Sequence, residues 1–435
     1  MIQPKQVAAW SAPRELETDV VVVGGGSAGS AAALAAARNG ASVVLIEEGN
    51  CLGGVSTAGG VNEWFANLEG IGDIMTEVVG QMEAAGAKYG RFFNGEMLKF
   101  VWQELLSQAG VTLLFHTSLT GTVLDGRRIT AVEALSLSRP VRIAGRWFID
   151  ASGEGDLAAA AGAAFHSGDP ENGKQLHMSL TGLMVKSPRK VEPWLPDHLE
   201  PIAGPDDVPG LKTAYRTPDG RVYVNMTKIM SRDSTDPIDV SAAEAEARRQ
   251  LLRSVHYLQR TRFPNHILVS SGARIGIREG RRIVGETTLT RAYILREDGQ
   301  DGRCPDPATV ATCQVDFHSL SRAGHAGWRE AVAPYQVPFG ALVVAGIDNL
   351  LTAGKCISSD QIAHSSVRMT PTCTSMGQAA GIAAGLVAAG GAETFRTLPY
   401  RDLQAALTRQ GFDLEPTHHQ SFAPEVTSDS EADRL

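Results

Sequence analysis

One stretch constrains the fold of this chain more than any other: Asp19–Glu48, DVVVVGGGSAGSAAALAAARNGASVVLIEE. The run Val20–Val23 is short and β-branched, as suits a strand buried on both faces of a parallel sheet. Gly24, Gly26 and Gly29 follow as G-x-G-x-x-G. The first glycine permits a tight turn, the second lets backbone approach a pyrophosphate, and the third lets a helix pack closely on the strand. That helix, predicted over Ser27–Asn39 with Ala28 in its first turn, is nearly all alanine, so its N-terminal amides can meet a phosphate at short range. Gly40 is placed for a left-handed stop. A strand at Ser42–Ile46 then delivers Glu47, about twenty residues past the glycines, where an acid can accept ribose hydroxyl bonds, with Glu48 beside it. A glycine motif alone could be a structural turn. Strand, turn, helix, strand and acid in one register predict a dinucleotide-binding unit.

At 435 residues the chain exceeds one comfortable core, so two or three domains are expected. Hydrophobic residues at 43% and charged residues at 20% suit a soluble globular protein. A net charge of −8, without a dense Lys/Arg run, argues against nucleic acid or an anionic membrane surface as main partner. The five cysteines are odd in number, widely spaced and without C-x-x-C, so neither a disulfide framework nor a metal site is expected, and a reduced, cytoplasmic compartment is the simplest reading. Residues 1–18 lack the apolar core of a signal peptide, and no eighteen-residue apolar run follows, so no membrane span is expected.

Beyond the acid, CLGGVSTAGGVNEWF (Cys51–Phe65) is too glycine-rich for a helix and too small in side chains for a core strand. Here Gly53, Gly54, Ser56, Thr57 and the pair Gly59–Gly60, together with Glu47, resemble the second cofactor stretch of FAD-dependent oxidoreductases of the fumarate reductase-like and heterodisulfide-reductase-like group. The resemblance implies that the glycine pair and the hydroxyls contact the diphosphate and flavin. Cys51 can be a small apolar neighbour of the cofactor or a redox thiol. The lack of a nearby partner cysteine favours the first.

Further along, a helix is predicted over Glu96–Ala109, and strands over Val111–Phe115 and Ile129–Leu137 around the turn Asp125–Gly126. The resemblance implies a backbone contact to adenine, best matched by Leu119. WFIDASGEGD (Trp147–Asp156) resembles the family's strand followed by Ala-Thr-Gly, with Ser152 in place of threonine and Gly153 following. GARIGIREGRRIVGE (Gly272–Glu286) resembles the family signature R-E-x-R-R-I-x-G. Its arginines, Arg274, Arg278, Arg281 and Arg282, can be acid-paired through Glu279 and Glu286, or can hold an anionic substrate by the guanidinium fork.

The last block, Tyr335–Ala389, predicts strands at Val337–Leu342 and Asn349–Ala353 returning to the first sheet, then Gly354-Lys355 where relatives carry Gly-Asp. A loop should follow, then a second alanine- and glycine-rich helix beginning near Thr374, whose N-terminus would face the flavin pyrimidine edge through Ser375 and Met376. Arg368, Pro371 and Cys373 match the family. Gln361 stands where relatives often carry histidine, so that role passes to no residue directly. His364 can substitute for it or be a satisfied loop histidine.

Between these blocks, 164–347 is mixed and proline-containing, with strand-like His177–Lys186 and Arg221–Met226 and a helix over Val240–Gln259 capped by Ser241 with Glu244 as capping box. His177 reads as structural. The expected architecture is α/β: a Rossmann-like FAD-binding domain of the glutathione reductase type (1–163 and 348–410) with an inserted α+β substrate domain (164–347), then a disordered acidic tail (411–435). The expected activity is hydride transfer between a small, anionic organic substrate and N5 of non-covalent FAD, with Arg368, His364 and Arg278 as catalytic candidates. Oxygen, a quinone or another protein would be the electron partner. A flavin monooxygenase and a non-catalytic flavin-binding protein are the alternatives.

Overall fold

The structure is a computed structural model that describes residues 12–318, 320 and 327–422. Residues 1–11 and 423–435, part of the expected first domain and of the expected tail, lie outside the described residues. The strand Arg14–Val23 pairs in parallel with Val43–Ile46 on one side and Arg139–Asp150 on the other, and Thr112–Leu114 extends the sheet beyond Val43–Ile46. Arg139–Asp150 changes its second neighbour along its length. Its first half pairs antiparallel with Arg128–Ser136, whereas Phe148–Asp150 pairs in parallel with Leu350–Thr352. Arg128–Ser136 pairs in turn with Thr117–Asp125. The result is an α/β fold on a mainly parallel, Rossmann-like sheet.

Alternation along the central strands assigns the two faces. Val20, Val22 and Leu45 join the core shared with the helices, and Val21, Val23 and Val44 join the core under the antiparallel extension. Both faces are covered, which accounts for the unbroken valine run.

Two helices lie together on one face, Ser27–Arg38 and Thr370–Ala388. They meet almost backbone to backbone. A Cβ on Gly377 would stand 2.0 Å from the Ala28 carbonyl oxygen, one on Gly381 2.2 Å from that of Ala32, and one on Gly385 2.5 Å from Asn39 Cβ. The order of these contacts makes the helices parallel, so both N-termini point the same way.

A second, antiparallel sheet runs Thr213–Arg216, Val222–Asn225, Gly182–Lys186, His266–Ser271. The helix Pro237–Arg260 packs on it through Ala247, Leu251, Val255 and Leu258, against Met184, Val222 and Val224. No described helix is long and apolar enough to cross a membrane.

Several expectations are corrected. The long helix starts four residues before Ser241, because Asp236 accepts from the Ile238 and Asp239 amides at 2.9 Å and Pro237 suits the first turn. Ser241 instead donates to Pro237 O, and Glu244 accepts from the Ile275 amide. The strand Tyr335–Pro338 pairs with Pro307–Ala311 and not with the first sheet. Thr117–Asp125 is a strand in its own right, whose mixed exposure hid it. His177 is outside any named strand, since only Gly182–Lys186 keeps ladder pairing. The expected loop before the second alanine helix contains the helix Gln361–Val367, capped by Asp360, and the alanine helix begins at Thr370. Residues 411–422 are packed: Phe412 is buried, bridging Ile71, and Phe422 bridges Cys313.

The helix contact sets a test. Gly381→Ala gains roughly 1 kcal/mol in helix propensity, but a methyl 2.2 Å from a backbone oxygen cannot be accommodated without moving a helix. Overpacking of this kind costs about 1–3 kcal/mol or more, so the melting temperature should fall. Gly80→Ala, inside the helix Asp73–Ala84 with nothing within 4 Å of its Cβ, should raise it by an amount worth up to about 1 kcal/mol. Thermal denaturation of the two variants decides the matter; equal shifts would contradict the backbone contact.

Candidate active site

A cavity of 430 Å³ opens beyond the carboxyl ends of the parallel strands, where Val23, Ile46, Ala151 and Ala353 line it. This is the position at which open α/β sheets receive ligands. The glycine turn forms its floor. Gly24 has φ +95°, and a Cβ there would lie 2.5 Å from Ala151 O; a Cβ on Gly29 would lie 1.8 Å from Gly24 O. These two glycines seat the helix on the strand. Gly26 differs, since no atom lies within 4 Å of its Cβ position and it faces the cavity. No side chain caps the helix Ser27–Arg38, so its first amides remain available.

Glu47 closes the turn. Its two oxygens accept from the Gly25 and Gly49 amides, each at 2.7 Å, and each keeps acceptor capacity on the cavity wall. Burial raises its pKa, while those two amides oppose the shift. Glu48 also lines the cavity and pairs with Arg274. Gly54 and Leu119 line it too, the latter within the run Thr117–Thr120. Ser152 and Gly153 form a further wall. They are held by Asp150, which accepts from the Ser152 amide at 3.0 Å, the Ser152 hydroxyl at 2.7 Å and the Ala158 amide at 2.8 Å. Complete burial nevertheless pushes its carboxyl up to about 6. Gly354 has φ +96°, and the adjoining Lys355 pairs with Glu154.

Other expected cofactor residues serve the wall from behind. Gly53, Ser56 and Thr57 do not line the cavity: Thr57 donates to Leu52 O at 2.6 Å, and Ser56 is wholly buried with its hydroxyl unpartnered. Ser375 and Met376 are also buried away from it, because the helix begins four residues early. Ser375 bonds Thr309, while Met376 joins the core. The residues of this helix that reach the cavity are Thr370 and Cys373. All five cysteines are free thiols. Cys51 lines the cavity, with its pKa raised by burial, as a small apolar neighbour would be.

Arg368 caps the helix Gln361–Val367 and lines the far end of the cavity. Its Nη2 donates to Asp316 O at 3.1 Å and lies 3.4 Å from Asp316 Oδ2; its Nε is buried without an acceptor. Arg278 donates to His177 O at 3.1 Å and Ser179 Oγ at 2.9 Å, and burial, with the Arg368 charge, lowers its pKa to about 10. His364 is fully buried and does not line the cavity. Its Nε2 is 2.9 Å from Arg278 O, and burial holds it neutral, well below its ordinary pKa. It braces the backbone that carries Arg278.

The arginine-rich stretch therefore divides. Arg282 and Glu279 form a buried pair; Glu279 also accepts from the Leu176 amide and from Gln361 Nε2, and Arg282 donates to Ser359 O and Gly168 O. Arg274 and Arg281 bind Glu48 and Asp156 across the cavity rim. Arg278 alone turns towards Arg368. Sequence reasoning missed the partners gathered there, Asp316 and His318. Their signal was present in V-D-F-H, since residues two apart on a strand share a face.

The floor suits a diphosphate dinucleotide: an open glycine, uncapped helix amides, an acid with spare lone pairs, and a groove running from Leu119 to Arg368. A family model of FAD-dependent oxidoreductases matches residues 19–407. No curated protein matches the sequence. Among solved structures, the anhydrotetracycline hydroxylase OxyS from Streptomyces rimosus shares 13% identity at a TM-score of 0.44, covering 91% of this chain and 66% of that one. A geranylgeranyl bacteriochlorophyll reductase-like protein from Thermoplasma acidophilum shares 12% at 0.44, covering 96% and 90%. The p-nitrophenol 4-monooxygenase PnpA from Pseudomonas putida DLL-E4 shares 13% at 0.44, covering 93% and 91%. Likeness at this level carries no argument about chemistry.

The Glu47 geometry gives a test. Charge-assisted bonds of the kind it offers a ribose are worth about 1.5–3 kcal/mol each. Titration of flavin-free Glu47→Ala protein with FAD should show affinity at least about tenfold weaker than wild type; unchanged affinity would remove Glu47 from the site.

Proposed function

The chain belongs to the FAD-dependent oxidoreductase family, and from that premise we propose that it transfers a hydride between a small anionic substrate and the N5 position of non-covalently held FAD. The observation that carries the reading is Arg368, which lines the cavity with an Nε that has no acceptor, bonded to the acid Asp316 and beside the charge of the buried Arg278. Asp316 offsets part of the repulsion between these two guanidiniums, and a bidentate carboxylate or phosphate would offset more of it.

Bound FAD supplies the two-electron acceptor or donor. Around it, Gly26 and the first amides of Ser27–Arg38 would hold the diphosphate, Glu47 the ribose, and Thr117–Thr120 the adenine side, with Leu119 its backbone contact. Gly54, Ser152, Gly153 and Gly354 would line the path towards the flavin. Segment 164–347, with its own sheet and helix, would serve as the substrate domain, bringing Arg278 over the cavity opposite Arg368. Within the family, the R-E-x-R-R-I-x-G signature supports the fumarate reductase-like and heterodisulfide-reductase-like group. Non-covalent binding is supported by the lack of a histidine beside Ser56–Thr57, where tethered relatives carry one. With a single G-x-G-x-x-G, the electron partner would be oxygen, a quinone or a protein.

Three experiments test this. Acid precipitation should release intact FAD into the supernatant, and anaerobic NADH or NADPH should bleach the flavin only slowly; rapid stoichiometric bleaching by either would contradict the single-nucleotide reading. Arg368→Ala should lower catalytic efficiency by about 2–5 kcal/mol, with FAD content unchanged. Arg368→Lys should rescue poorly, because an ammonium cannot reproduce the fork. Full activity in the alanine variant, or parallel loss of flavin, would take Arg368 out of the substrate site.

A further inference from the structure

Behind the arginine that lines the cavity stands an acid–imidazole pair. His318 Nε2 is 3.0 Å from Asp316 Oδ2, and the imidazole is only 6% exposed. Its ring meets that of His177 edge-on, with centroids 4.6 Å apart. The His177 carbonyl accepts from Arg278, while its Nδ1 is buried without a partner. Asp316 binds Arg368 on one side and Arg329 on the other, the latter at 2.8 Å.

We propose that His318, oriented by Asp316 and packed on His177 between the charges of Arg278 and Arg368, carries the proton that the substrate releases or takes up when its hydride moves. This rests on the reading of Arg278 and Arg368 as an anion site. For an alcohol or amine, bound FAD would take the C–H electron pair as hydride while the imidazole takes the O–H or N–H proton, leaving C=O or C=N. Reduction returns the same proton.

A neutral ring donating Nε2–H to Asp316 leaves Nδ1 as the proton acceptor. The ring is neutral near pH 7: burial first, then the Arg278 charge, and more weakly Arg368, push it down to about 4, against the opposing pull of Asp316. Among the described residues, the other charged or titratable groups on this side are Arg329, Cys313, Tyr223, His177 and Lys228, the last two close to one another. An anion seated on the two guanidiniums cancels their repulsion, so His318 gains basicity when substrate arrives. The sign follows. A raised pKa in the bound state means that anion binding takes up a proton, and affinity rises as pH falls through the bound-state pKa, levelling off below about 4.

The test uses flavin-loaded protein with acetate as the probe. Calorimetry at pH 6 in two buffers of different ionisation enthalpy should show net proton uptake in the wild type and none in His318→Gln, while acetate affinity at pH 8 stays within about threefold. In wild-type protein, the His318 ring resonance should titrate about one pH unit or more higher with saturating acetate than without, a measurement that needs no variant to fold. Acetate binding without proton uptake, or a His318 titration that does not move, overturns the role of His318 and leaves the anion site standing. Acetate that fails to bind, or binds Arg368→Ala equally well, overturns both.

Discussion

The structure depends on the close parallel contact between the helices Ser27–Arg38 and Thr370–Ala388. Gly377, Gly381 and Gly385 recur every four residues, so they form one stripe, and that stripe meets Ala28, Ala32 and the Ala36–Asn39 turn. Because the helices run the same way, both positive dipole ends reach the same cavity, one through Gly26 and Ala28 and the other through Thr370 and Cys373. Parallel dipoles side by side repel slightly. An anionic cofactor lying across both N-termini reverses the sign of that term, so the packing and the ligand suit one another. Neither N-terminus has a side-chain cap to compete for its amides.

Much of this could be read directly. The valine strand, glycine turn, alanine helix and acid are local signals, each set by a few neighbouring residues, and all took their expected places. Features that depend on distant partners were not legible. Tyr335–Pro338 is a strand by composition, but nothing in it names Pro307–Ala311 as its neighbour. Asp360 is an N-cap only because Gln361–Val367 follows as a helix, and a short serine-containing run carries weak helical periodicity. The missed turn shifted the next helix by four residues, which is why Ser375 and Met376 fall in the core and Thr370 and Cys373 on the cavity. For Asp236, by contrast, the Asp-Pro pair was a visible start signal outranked by a second plausible cap.

The arginine signature shows why composition could not separate its members. Glu279 and Arg282 are three residues apart and wholly buried, and every additional bond they make, to Leu176, Gln361, Ser359 and Gly168, joins segments far apart in sequence. A buried pair is tolerable only with this degree of satisfaction, since its desolvation otherwise exceeds its attraction. Arg278 has no carboxylate of its own and relies on a carbonyl and a hydroxyl. The same short stretch thus holds one arginine neutralised in the assembly of the core and one that has no carboxylate of its own and stands near Arg368.

What holds that stretch over the cavity is backbone more than charge. The rim pair Arg274–Glu48 is about half exposed on both sides, and pairs of that kind contribute about 0–1 kcal/mol. The Ala273 amide donates to Ala58 O at 2.7 Å and the Gly272 amide to Thr181 O at 3.1 Å, while a Cβ on Gly272 would lie 2.9 Å from Gly59 O. Thr181 closes the arrangement by donating to Gly59 O at 3.1 Å. The glycine-rich run after Glu47 is therefore small because a second backbone lies against it. That contact fixes Ile275–Ile277 in the lining of the cavity and brings Arg278, one residue further, close enough to feel the charge of Arg368. The Arg278 charge is thus positioned by a segment packed on the glycine-rich loop that lines the cavity, so a change at Gly59 or Gly272 would disturb both together.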